Sequence, residues 1–144
     1  MNILKVLETY EELIYLNDLD VLVMEKLVDL RKRAIDSLLE KHPHIFSALN
    51  KFFAKDENSA GLQVTENGKL IGEYTFILDG LYIKEVKAGE LSAELNLPFM
   101  KIKPYGIIEK SVLERMLQDE QEVIEKPFTT MKKYMPDVTI KFLR

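Results

Sequence analysis

The chain has 144 residues, 47% of them hydrophobic and 31% charged, with a formal net charge of −4. That length fits one domain able to bury about 70% of its unfolded surface, and the composition is that of a globular fold, not a disordered one. Interleaved acids and bases with a negative balance argue against nucleic acid as a partner, and the absence of cysteine removes disulfide and thiol chemistry. The opening residues, Met1 to Glu8, lack the basic start and unbroken apolar stretch of a secretory signal. Apolar runs such as Val21 to Met24 fall far short of the roughly 20 residues that span a bilayer. A cytoplasmic, soluble protein without stable membrane insertion is expected.

Residues 3–16 place Ile3, Val6 or Leu7, Tyr10, and Leu13 or Ile14 at three- and four-residue steps, which predicts an amphipathic helix. Asn17-Asp18 breaks it, and Asp20 fits the N-cap of a second helix over about 20–41. That helix would bury Val23 or Met24, Leu27, Leu30, Ala34, Ile35, Leu38 and Leu39. Arg31, Lys32, Arg33 and Asp36 would form its solvated face. Pro43 ends it, since the residue before proline disfavours α conformation. A third helix over about 44–54 presents Ile45, Phe46, Leu49, Phe52 and Phe53.

Lys55 to Ala60 reads as a polar loop, and a sheet follows. Asn67-Gly68 and Asp79-Gly80 each mark a tight hairpin turn, because φ > 0 is needed at the centre of such turns. The first strand carries Leu62 and Val64. The second runs from about Leu70 to Leu78, with Gly72, Tyr74, Phe76 and Leu78 on one face. In the third, Leu81 and Ile83 fall on one face and Tyr82 and Val86 on the other. Glu90 to Pro98 reads as a linker, and Phe99 to Glu109 as a fourth extended segment. Pro104 makes that segment an edge strand, or breaks it with a restart near Tyr105. Ser111-Val112-Leu113-Glu114 has the pattern of a capping box opening a helix that buries Val112, Leu113, Met116 and Leu117. Pro127 stops or kinks it, Phe128 to Met135 form a short helix, and Val138 to Phe142 close the chain as a strand. The expectation is one α+β domain over residues 1–144. Residues 1–55 would be its helical N-terminal part, and 61–144 a mostly antiparallel five-stranded sheet covered by helices.

No catalytic set emerges. The six glycines sit mostly at turns and form no phosphate loop. The two histidines, His42 and His44, adjoin one helix end, where their spacing puts them on different faces and argues against a metal site. Paired acids such as Glu11-Glu12 and Asp119-Glu120 fall on exposed faces, without the burial that separates two carboxylate pKa values. Neither an enzyme nor a cofactor is implied. The last third is instead rich in apolar and flexible side chains, including Met100, Met116, Met131 and Met135, which pack a core or line an apolar site.

The order of elements over residues 61–143 resembles the sterol carrier protein family (type two). Gly72-Glu73-Tyr74-Thr75-Phe76-Ile77-Leu78-Asp79-Gly80 is similar to the family's second strand, an aromatic run ending in an acidic turn. Pro136-Asp137-Val138-Thr139-Ile140-Lys141-Phe142 is similar to its closing strand. The resemblance implies a non-catalytic apolar tunnel for a fatty acyl chain, sterol or similar lipid, formed by the sheet and the C-terminal helices. The candidate lining is Tyr74, Phe76, Ile107, Leu113, Met116, Phe128, Met131 and Tyr134. A second reading is a ligand-free interaction module whose helices over 3–16 and 20–41 pack across a two-fold axis as a homodimer.

Overall fold

A computed structural model describes Ile3 and residues 18–144. Apart from Ile3, the predicted helix over 3–16 lies outside the described residues. Asp18 to Asp20 are already helical, and the helix continues as a π-helical segment, Val21–Leu27, and then as α1, Val28–Lys41. Asp20 is therefore no N-cap. Its carboxylate accepts the Tyr74 hydroxyl at 2.7 Å instead, which ties the helix to the sheet. Leu19 and Val23, 1% and 0% exposed, enter the core from this segment. The apolar stripe of α1 (Leu30, Ala34, Ile35 and Leu38) is buried within its own chain. No helix among the described residues is long and apolar enough to cross a membrane.

The next helix, α2 (Pro43–Phe53), carries proline at its start, where the missing N–H costs nothing. Asn50 pins it to the sheet: the Leu81 N–H donates to the Asn50 Oδ1 at 2.8 Å. The approach is close enough that a Cβ on Gly80 would lie 2.7 Å from the Asn50 backbone oxygen.

The strands are β1 (Asn58–Glu66), β2 (Lys69–Asp79), β3 (Tyr82–Ala88), β4 (Leu95–Leu97), β5 (Met100–Ile102), β6 (Pro104–Glu109) and β7 (Val138–Phe142). Five of them form one sheet in the order β3-β2-β1-β6-β7. Three of its pairings are antiparallel, while β1 and β6 run parallel, so the sheet is mixed. At the first turn Asn67 and Gly68 have φ of 52° and 79°, as a type I′ turn requires. At the second only Gly80 is positive, at 62°, so the central pair is Gly80-Leu81 in the pattern of a type II′ turn, one residue later than expected. A register shift at Ile77/Leu78 pairs Leu78 with Ile83 and Phe76 with Val86. Ile83 and Val86 therefore share a face, where simple alternation had put them on opposite ones.

Three other expectations change. β1 begins at Asn58, inside the predicted loop, because the Asn58 side chain bonds the Phe53 carbonyl at 3.1 Å and Ser59 bridges to Glu94. The predicted linker contains β4, which pairs with β5, and just before it Glu90 to Ser92 cross the back of the sheet. There Thr75 accepts the Ser92 N–H at 2.9 Å and donates to the Glu90 carbonyl at 2.7 Å. Pro104 is the first residue of β6, a strand flanked on both sides, and the extended segment breaks before it.

The helix after β6, α3 (Lys110–Gln118), starts before Ser111, so no capping box forms. Glu109 precedes it in extended conformation, and its carboxylate accepts the N–H groups of Asn67 and Gly68 at 3.0 and 2.8 Å. Asp119 separates α3 from α4 (Glu120–Glu125), and α5 (Pro127–Tyr134) with a 3₁₀ turn (Met135–Asp137) leads into β7. The helices cover one sheet face. The core lies between, built on Leu19, Val23, Val64, Tyr74, Phe76, Ile108, Val112, Leu113 and Tyr134.

Candidate functional site

The helical layer does not close completely on the sheet. Between them runs a groove of about 390 Å³, within the size range of small-molecule sites. It has three walls. One is the inner stripe of α1, with Leu30, Ala34, Ile35 and Leu38, preceded by Leu27 at the end of the π-helical segment. The second is the sheet, through Ala60, Phe76, Leu78, Ile83 and Val138. The third is the C-terminal helices, through Met116, Val123, Pro127, Met131 and Tyr134, with Met135 at the end of α5. The first wall is an addition: the sequence placed a cavity between the sheet and the C-terminal helices only. The sequence pattern makes its residues a buried helix stripe, and the structure buries them along the groove.

Four of the eight predicted lining residues meet in this groove: Phe76, Met116, Met131 and Tyr134. The other four do not. Tyr74 is 1% exposed and packs in the solid core beside Leu19. Leu113, 0% exposed, is likewise core. Ile107 pairs with Gln63 and Thr139 and is out of phase with Ile108, so it faces the back of the sheet. Phe128 lies outside, 55% exposed, with its ring 6.2 Å from that of Phe46.

No protein-family model matches the chain, and no curated protein matches it. Among solved structures it is similar to the crystal structure of sterol carrier protein-2 like-3 from Aedes aegypti. The identity is 16% and the TM-score 0.34, over 72% of this chain and 87% of that one.

The polar groups of the groove are few and mostly committed. Thr130, 4% exposed, turns its hydroxyl to the Lys126 and Glu122 carbonyls at 2.7 and 3.0 Å. The Tyr134 hydroxyl donates to Asp119, which also receives Lys133 at 2.7 Å. Both Lys133 and Tyr134 bond the Asp119 carboxylate and hold its pKa below the ordinary range, while the Tyr134 pKa is raised in turn.

Arg31 differs. It is the one charged residue among the described residues that line the groove. Its neighbours on α1 are paired, Lys32 with Asp36 at 3.1 Å and Arg33 with Asp29 at 3.0 Å and with Glu120. Arg31 makes no salt bridge among the described residues. It stays open to solvent at the groove edge, yet protein crowds it, and that desolvation lowers its pKa from the ordinary arginine value. The sequence placed it on the solvated face with Lys32 and Arg33. Nothing in spacing alone separates it from them.

Proposed function

We propose that the chain binds and carries an apolar, lipid-like ligand with a single anionic head, without acting on it chemically. The fatty acyl chain with its carboxylate is the simplest such molecule. The support is the groove itself, apolar on three walls, with the unpaired Arg31 at its edge. Burying a hydrocarbon chain there is favourable by about 25 cal/mol per Å² removed from water. A carboxylate at Arg31 adds a charge-assisted hydrogen bond, and the guanidinium regains the partner that desolvation makes costly to lack. Thr130 and Tyr134 are engaged with protein acceptors, which favours holding a ligand over transforming it.

The test is a titration with a fluorescent long-chain carboxylic acid, its methyl ester and a fluorescent sterol. The acid should bind best. Arg31→Met should weaken the acid about thirtyfold, the equivalent of roughly 2 kcal/mol, and leave the ester unchanged. Failure of all three probes to bind would end this reading, and equal loss of acid and ester would remove Arg31 from it.

A further inference from the structure

Beside the groove, two helices expose apolar side chains that the core does not use. On α2, Ile45, Leu49 and Phe52 are 63%, 39% and 43% exposed, spaced four and three residues apart on one face. On α5 and the turn after it, Phe128, Met131 and Met135 are each more than half exposed and form a second stripe. The Phe46 and Phe128 rings, 6.2 Å apart, join the two helices into one ridge. Met131 and Met135 belong both to this ridge and to the groove lining, so the ridge runs into the groove mouth. A contiguous apolar patch of this kind marks an interaction surface.

Charge selects the partner. Residues 41–55 and 126–135 contain Lys41, Lys51, Lys55, Lys126, Lys132 and Lys133, which are six of the chain's 20 basic residues, and none of its 24 acids. Lys41 is bonded to the Glu125 carbonyl and Lys133 to Asp119. The other four make no salt bridge among the described residues. In a chain of net charge −4, the two segments that build the apolar ridge thus carry no carboxylate. A second copy docked there about a two-fold axis would set the same lysines against one another. An anionic lipid surface fits both features, apolar side chains entering the headgroup boundary and lysines meeting phosphates.

We propose that the ridge of α2 and α5 docks on an anionic phospholipid bilayer, with the groove mouth turned toward the lipid. The purpose of such docking, loading or unloading the groove, rests on the function proposed above; the docking itself is tested separately.

The experiment uses the full chain with vesicles of phosphatidylcholine, alone or with about a third phosphatidylglycerol. The chain has no tryptophan, so Phe128→Trp gives an emission free of background. Its emission should shift to the blue with the anionic vesicles only, and the unmodified chain should co-sediment with them at low salt and be released by high salt. Lys51→Gln combined with Lys132→Gln should lower vesicle partitioning about thirtyfold and leave uptake of a fluorescent fatty acid unchanged. Absence of both the shift and the co-sedimentation overturns the docking, even if the groove still binds fatty acid. Vesicle binding without fatty-acid uptake would leave the docking standing and remove the groove reading. A dimer in light scattering that Phe128→Ser converts to monomer would give the ridge to a second copy and overturn the lipid assignment.

Discussion

Tyr74 and Phe76 are two residues apart on β2 and point to the same side, yet they serve different ends. Tyr74 lies over Leu19 and sends its hydroxyl 2.7 Å to Asp20, so burial and that carboxylate both raise its pKa. Phe76 lies under the groove. Tyr74→Phe should therefore cost about 2 kcal/mol, since it removes a hydrogen bond to a charged group and leaves Asp20 one donor short. Urea unfolding will read the loss. Fatty-acid affinity measured on the folded variant should stay within error, and a large drop there would place Tyr74 in the binding wall after all. Arg31 makes the same point about neighbours. Charge pattern predicted a solvated face, and for Lys32 and Arg33 it is one, with partners at Asp36 and Asp29. Only the way the C-terminal helices and the sheet meet α1 distinguishes Arg31, and those elements are far away in sequence.

The short C-terminal helices depend on a junction. Asp119 ends α3, opens α4, and gathers Lys133 and Tyr134 from α5, so it fixes the helix that carries Met131. Those two donors favour its charged form and lower its pKa. A carboxylate depressed by folding contributes stability that is fully present above its unfolded pKa, about 4, and is lost as pH falls through its lower folded value. Acid should therefore loosen α5 below about pH 4, where the groove wall goes with it. Thermal unfolding from neutral to acid pH should show a shallower acid slope in Asp119→Asn than in the natural chain. An unchanged slope would mean that the junction carries no pH dependence. Elements such as β2, α1 and β7 were legible from local pattern. The capping box was not, because Glu109 spends its carboxylate on the Asn67-Gly68 turn, a partner some 40 residues away. Ile107 was misplaced for a related reason: Ile107 and Ile108 are both apolar, and only the parallel pairing of Val64 with Ile108 sets which one faces the helices.

At the scale of the whole molecule, one sheet face is packed in two ways. Toward Leu113 and Val23 the helices meet it without space, and toward Ala34 and Ala60 they leave the groove. A space lined by side chains but empty of protein gives up dispersion contacts, so a fold that keeps it open is less stable than it could be. Ala34 is on the α1 wall, 8% exposed, in a helix that tolerates leucine well. Ala34→Leu should extend into the groove, bury up to three more carbons, and raise stability by up to about 2.4 kcal/mol at roughly 0.8 kcal/mol per methylene. The same side chain should displace a bound acyl chain and lower its affinity at least about tenfold. Ala93 is the control. It is 3% exposed on the segment that covers the back of the sheet and is absent from the groove lining, so Ala93→Leu should overpack and cost about 1–3 kcal/mol. Opposite signs from one substitution at two buried alanines would show that the helical side of the sheet is built around a vacancy and the back is not. Were Ala34→Leu as damaging as Ala93→Leu, α1 and α5 would have to be closed upon the sheet in solution, with no room between them for a ligand.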